Sequence, residues 1–138
     1  MSGEKQKILM VDDDKFILDM YALKFSQNNF EVHVAGNGEE ALERLRAGLS
    51  PQVILMDLIM PDMDGFEMLE KINADKLSPN SIKIVLSNRT EQADIDKSRS
   101  LGAAGYIVKA NFTPVEVIEK VKEILKAESQ EKIKAVNK

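Results

Sequence analysis

The sequence predicts an α/β fold, a five-stranded parallel sheet with helices on both faces. Three observations lead there. Strand-like apolar runs alternate with helix-length segments five times along the 138 residues, the rhythm of successive β/α units. Most of the runs are continuously apolar rather than alternating, which is the pattern of strands covered on both faces and hence of a parallel sheet. Turn and cap residues fall between the runs and not inside them.

Taken in order, the first strand is expected over Lys7 to Val11 and the first helix over Lys15 to Asn28, capped by Asp14. The second strand, Glu31 to Ala35, is followed by Asn37-Gly38, a helix over Glu39 to Ala47, and Gly48 after it. Val53 to Met56 is the most apolar run and reads as the central strand, and Pro61 and Gly65 bracket the loop to a helix over Phe66 to Ala74. Ser78-Pro79-Asn80 separates that helix from a fourth strand, Lys83 to Leu86, whose helix covers Gln92 to Leu101. The fifth strand, Gly105 to Val108, leads to Thr113-Pro114, an N-cap with proline at the first helical position, and a helix to Lys126. Parallel crossovers of this kind are right-handed.

Residues 5–126 thus form one domain, and 127–138 are expected as a polar C-terminal tail of frayed or solvated helix. Glu128 and Lys132 interrupt the face built by Val117, Ile118, Val121 and Leu125, and Ile133 and Val136 are too isolated to start a second core. Two helices stand out. The first carries Ile17, Leu18, Tyr21 and Phe25 on one face and Phe16, Met20 and Leu23 on the opposite one. That second stripe either packs on the last helix or marks a partner surface. The fourth helix has only Ala93, Ile95 and Leu101 as apolar anchors, and is expected to be weakly held and mobile.

Composition narrows the function. A net charge of -4 and 43% hydrophobic residues are those of a soluble globular protein with no basic footprint for nucleic acid. The absence of cysteine excludes disulfides, thiolate metal sites and cysteine catalysis. With no leader-like or membrane-length apolar stretch, a cytoplasmic location without membrane contact is expected.

Four of the apolar runs end on a residue suited to a phosphoryl group: Asp12 and Asp13, Asp57, Ser87, and Lys109. In a parallel sheet those ends lie along one rim, so residues distant in sequence make one pocket. A phosphoryl group carried on a carboxylate needs a nucleophilic oxygen, a cation for its oxygens, and donors around them. Asp57, ending the central strand, is the expected nucleophile. Asp12 and Asp13 supply hard oxygens for Mg²⁺, which favours one or two carboxylates plus water and phosphate. Lys109 is the fixed positive charge and Ser87 a hydroxyl donor. Any one of these residues at a strand end has a bland reading, and Asp14 is indeed a helix cap; the case rests on all four ends together.

Other patterns carry no chemistry. Asp62, Asp64 and Gly65 imitate a calcium loop, but Met60 and Lys71 stand where its first and last ligands belong, so the segment is a turn. No glycine-rich loop with Lys and Ser/Thr follows the first strand, which removes a P-loop nucleotide site. The single histidine, His33, reads as a solvated residue of an edge strand.

With Asp12-Asp13, Asp57 followed by Pro61, Asp64 and Gly65, then Ser87, Gly102-Ala103, Tyr106 and Lys109, the chain closely resembles the receiver domain of bacterial two-component response regulators. The resemblance implies a flavodoxin-like fold with strand order 2-1-3-4-5 and phosphorylation of Asp57 by a sensor histidine kinase or phosphotransfer protein. It implies Mg²⁺ bound by Asp13, Asp57 and the Ile59 backbone carbonyl, with Asp12 acting through water. Ser87, Asn88 and Lys109 would surround the phosphate, and Ser87 and Tyr106 would form the switch: Ser87 moves toward the phosphoryl oxygens, Tyr106 turns inward, and the fourth helix repacks. The output surface would be the fourth helix, fifth strand and fifth helix, read by a downstream effector protein. The chain would be a monomer or a weak phosphorylation-dependent homodimer.

The sequence departs from that family pattern in three places. Ala110 follows Lys109 where a cis proline is usual, leaving either a strained cis bond or a trans bond that shifts Lys109. Asn88 stands where a small residue is usual, and its bulk is expected to hinder attack by water and prolong the phosphorylated state. Ile59 and Arg89 flank the pocket with effects of unassigned direction. The expected function is a phosphorylation-controlled binding module and not an enzyme. The alternatives are a constitutive protein-interaction module and an aspartate-nucleophile phosphatase, which would want a second aspartate where Ile59 stands.

Overall fold

The computed structural model describes residues 5–136. Its elements run β1 (Gln6–Val11), α1 (Lys15–Ser26), β2 (Phe30–Ala35), α2 (Gly38–Arg46), β3 (Val53–Met56), α3 (Gly65–Ala74), β4 (Ile82–Ser87), α4 (Gln92–Ser100), β5 (Ala103–Val108) and α5 (Pro114–Val136), with a 3-10 turn over Lys109–Asn111. All strands are parallel and lie in the order β2-β1-β3-β4-β5. The sheet order and the ten elements are those expected.

Side chains alternate between the two faces of each strand, and two cores result. Leu9, Val11, Ile54, Met56 and Val85 face α2 and α3, meeting Ala41, Leu42, Leu45, Met68, Leu69 and Ile72. Ile8, Met10, Val53, Leu55, Ile84 and Leu86 face α1 and α5, meeting Leu18, Tyr21, Phe25, Val117, Ile118 and Val121. Every residue of β3 is buried, which is why its sequence is apolar without alternation. β2 lies at the edge, and there His33 is half-buried with its Nε2 2.7 Å from Glu31 Oε2.

Local capping fixes where helices start. Asp14, Asn37 and Asp64 each accept a hydrogen bond from the main chain three residues ahead, opening α1, α2 and α3. Thr113 Oγ1 accepts from Glu116 N–H while Glu116 Oε1 accepts from Thr113 N–H, a reciprocal pair that opens α5. The Asp62–Asp64 segment is a turn leading into this geometry, as expected.

One expectation needs correction. Ala93 does not anchor α4: it is exposed, Ile95 and Leu101 are only partly buried, and the one buried residue of the helix is Ser98. Polar side chains occupy the positions between, and α4 has no side-chain N-cap bond, so the helix is held by a few single contacts. One is Lys97 lying 4.5 Å over the Phe66 ring, and another is Asn73 Nδ2 donating to the Leu101 carbonyl at 2.7 Å. The last helix runs through Lys126 and on to Val136, in the segment expected as frayed or solvated helix. Its apolar stripe stops at Leu125, yet the following Ala, Glu, Gln and Lys residues are good helix formers and need no packing to continue the turn. Ala127, Ser129 and Gln130 are exposed; the side chains of Ile133 and Val136, and residues 137–138, lie outside the described residues.

Candidate functional site at the strand ends

Register places the acids. Asp12 N–H donates to the Ala35 carbonyl on β2, and Asp57 N–H donates to the Val11 carbonyl on β1, so both carboxylates leave the sheet side by side at its C-terminal rim. Ser87 pairs with Val108 in the β4–β5 ladder, which brings the next residue, Lys109, to the same rim. A cavity of about 430 Å³ opens there, lined by Asp12, Asp13, Asp57, Ile59, Ser87, Asn88 and Lys109. Every pocket residue expected from the sequence is among them. Tyr106 stands apart, and of the second apolar stripe of α1 only Phe16 and Leu23 are exposed, at 81% and 57%. Met20 is partly buried against the core beneath α1 and α5, so the stripe divides between packing and solvent.

Lys109 organises the charges. Its Nζ donates to Asp12 Oδ2 at 2.9 Å and to Asp57 Oδ2 at 3.1 Å, and all three side chains are mostly buried. Burial by itself would lower the lysine pKa, but the hydrogen bond to Asp12 and the charges of Asp57 and Asp12 outweigh it and hold the ammonium above its ordinary value. The second oxygen of Asp57, Oδ1, accepts only a long 3.3 Å bond from Ile59 N–H. Asp12 Oδ1 accepts from Asp14 N–H at 2.9 Å.

One oxygen from each of Asp12, Asp13 and Asp57 falls within a 4.8 Å cluster. Three hard carboxylates beside open solvent suit Mg²⁺, which keeps water ligands and requires few protein ones. The donor set therefore fits the metal.

The β4–α4 loop carries a second network, centred on Arg89. Its N–H donates to Ser87 Oγ at 3.2 Å, its carbonyl accepts from Tyr106 OH at 2.9 Å, and its guanidinium Nε lies 3.3 Å from Asp94 Oδ2 on α4. Ser87 is fully buried, and Tyr106 is half-buried with its phenol pKa raised chiefly by that burial. Sequence reasoning named Arg89 without a role. A carbonyl acceptor carries no residue identity, so only the Arg89–Asp94 charge pair was open to being found. Gly65, which brackets the loop after Asp57 in the sequence, has a steric role that no local pattern reveals. A Cβ there would sit 2.6 Å from the Asp57 carbonyl oxygen and 2.9 Å from Leu58 Cα, so glycine is what allows the start of α3 to close against the Asp57 backbone.

The Lys109–Ala110 bond is trans, no cis peptide bond occurring among the described residues, and Lys109 nonetheless reaches both acids. Asn88 is turned toward that bond: its Oδ1 accepts from Ala110 N–H at 2.9 Å.

Residues 8–122 match the family model of the response regulator receiver domain. The chain belongs to this family. As a receiver domain it falls among phosphorylation-controlled signalling modules that typically bind Mg²⁺. It is 36% identical over 126 residues to the transcriptional regulatory protein SrrA of Staphylococcus aureus, covering 91% of this chain and 49% of SrrA. It is 30% identical over 131 residues to the DNA-binding response regulator MtrA of Mycolicibacterium smegmatis, covering 95% of this chain and 55% of MtrA. The receiver thus spans about half the length of these relatives. Among solved structures, a CheY-like receiver domain protein from Methanospirillum hungatei superposes with a TM-score of 0.82 at 34% identity, covering 93% of this chain and 99% of that one. Chemotaxis protein CheY4 of Vibrio cholerae gives 0.80 at 27% identity, with 87% and 98% covered. Among the described residues no helix is long and apolar enough to cross a membrane.

Proposed function

We propose that this receiver accepts a phosphoryl group on Asp57 from a histidine kinase or a phosphotransfer protein and passes the signal to a downstream effector protein by changing shape. The observation that carries this reading is the unequal treatment of the two Asp57 oxygens. Oδ2 is engaged by the Lys109 ammonium at 3.1 Å, whereas Oδ1 has only the 3.3 Å bond from Ile59 N–H. In the transfer, Asp57 Oδ1 forms the new O–P bond as the P–N bond of the donor phosphohistidine breaks and the imidazole leaves with the electron pair.

Asp13, Asp57 and the Ile59 carbonyl would hold Mg²⁺, with Asp12 acting through water; the ion supplies positive charge for the phosphoryl oxygens. Lys109, the Ser87 hydroxyl and the Asn88 side-chain amide would surround the same oxygens. Drawing Ser87 toward them removes its bond with Arg89 N–H and with it the support of the loop that holds Tyr106 OH. The loosely anchored α4 then repacks, and α4, β5 and α5 form the output surface.

In this reading residues 5–126 are the receiver unit, the protein works in the cytoplasm, and it binds neither nucleic acid nor membrane directly. It turns over no external substrate and acts as a monomer or a weak phosphorylation-dependent homodimer. The exposed Phe16 and Leu23 of α1, with Met20 at their margin, are a candidate partner surface.

Acetyl phosphate with Mg²⁺ tests the proposal by intact-mass spectrometry and peptide mapping. A single phosphoryl adduct on Asp57, absent in Asp57→Asn, is the expected result. No adduct on the wild-type chain, or one mapped elsewhere, overturns it and favours a constitutive interaction module.

A further inference from the structure

The turn that delivers Lys109 to the pocket is lightly built. It is a single 3-10 turn, Lys109–Asn111, and the main-chain bond across it, from Phe112 N–H to the Lys109 carbonyl, is 3.4 Å long, beyond the range of a strong N–H···O bond. Its peptide bonds are trans, and residue 110 is an alanine with a main-chain N–H to satisfy. That N–H finds its acceptor 22 positions away, in the Asn88 side chain at 2.9 Å.

We infer that Asn88 is a positioning residue. Its Oδ1, by accepting from Ala110 N–H, fixes the turn in the form from which the Lys109 ammonium reaches Asp12 and Asp57. Three observations support the assignment. The bond is of ordinary strength by length, whereas the turn's own closing bond is weak. Lys109 enters the pocket from the residue directly before Ala110, so a displacement at Ala110 is passed straight to the ammonium. Asn88 also directly follows the buried Ser87, so the clasp ties the loop that carries the hydroxyl to the turn that carries the amine. While its oxygen accepts from Ala110, the Asn88 amide nitrogen keeps two N–H donors, the polarity that phosphoryl oxygens require.

The clasp stands independently of the phosphoacceptor reading; only its effect on phosphorylation rests on that reading. The test compares Asn88→Leu, which keeps the size and removes the acceptor, with Asn88→Asp, which keeps an accepting oxygen. Amide hydrogen exchange at Ala110 is followed by NMR in both. Loss of one net hydrogen bond should speed exchange at Ala110 about five-fold in Asn88→Leu, while Asn88→Asp retains protection. A crystal structure of Asn88→Leu should find Lys109 Nζ withdrawn from Asp57, and adduct formation from acetyl phosphate should slow several-fold. Unchanged exchange at Ala110, or Lys109 still bonded to Asp57 after the clasp is cut, overturns the inference. If exchange and Lys109 respond as expected while even the wild-type chain takes no phosphate, the clasp is supported and the phosphoacceptor reading is what fails.

Discussion

The Lys109 ammonium and the Asp57 carboxylate are 3.1 Å apart at the mouth of the pocket, with 13% and 12% of their side chains exposed. The same ammonium bonds Asp12 at 2.9 Å, so one cation holds two nearly buried acids together. Removing it leaves both acids facing each other and Asp13, and an unpaired buried charge is costly even where the intact pair contributes little. Lys109→Met is therefore expected to destabilise the metal-free protein by about 2 kcal/mol, below the range for fully buried pairs because the cavity admits water. Urea unfolding with and without Mg²⁺ checks it: the deficit should shrink when the metal supplies the missing positive charge.

Asp13 gives the opposite sign in the two conditions. It is exposed and belongs to the acidic cluster, so without metal Asp13→Asn relieves like-charge crowding and should leave stability unchanged or slightly raised. With Mg²⁺ roughly tenfold above its Kd, binding to the folded wild-type chain should add about 1.4 kcal/mol, and the variant should lose most of that gain. Thermal unfolding across a Mg²⁺ titration reads both effects. A wild-type midpoint that does not move with Mg²⁺ would deny the site its metal.

The five runs were legible because burial on both faces of a parallel sheet leaves a plain residue signature; their order was implied only by the family resemblance. Val53 to Met56 is apolar because every one of its side chains is covered. Asp14 and Thr113 were legible as caps because capping is local and written in adjacent residues. What escaped notice depends on the main chain or on tertiary fit. Tyr106 bonds a carbonyl that any residue at position 89 would offer. Ala93 is apolar, yet the residue of α4 that is buried is Ser98, and Ala93 is left exposed. Asn88 suggested bulk over the pocket, whereas its oxygen answers an N–H that exists only because residue 110 is not proline.

Gly65 illustrates how a backbone requirement becomes a functional one. The Asp57 carbonyl oxygen and Leu58 Cα occupy the space of a Cβ at 2.6 and 2.9 Å, and both belong to main chain that is pinned by the Gly65 N–H bond to the Leu58 carbonyl at 2.9 Å. Neither neighbour is the far end of a flexible side chain, so Gly65→Ala must push the backbone of Asp57, the proposed phosphoacceptor. A destabilisation of about 1 to 3 kcal/mol is expected, together with slower phosphorylation at equal folded fraction. A variant of wild-type stability would mean that the approach of α3 to Asp57 is looser than the structure has it.

Alkaline titration probes Tyr106, the proposed switch residue, without any ligand. The chain has two tyrosines and no tryptophan, so near-ultraviolet tyrosinate absorbance reports Tyr21 and Tyr106 alone. Both phenols are raised, in each case first by burial; for Tyr21, Lys109 opposes the shift, and for Tyr106, Ser87 and Arg89 do. A phenol whose folded pKa lies above its unfolded one contributes stability that is complete below the unfolded value and is lost as pH rises through the folded value. The folded protein should therefore show no tyrosine ionising at or below the ordinary value of about 10, and unfolding in urea should bring both midpoints down to it. Tyr106→Phe should leave one raised midpoint, that of Tyr21. A folded-state midpoint for Tyr106 at the ordinary value would mean that its ring lies in solvent and its hydroxyl does not hold the Arg89 carbonyl, and the loop would then lack the contact through which Ser87 is proposed to act.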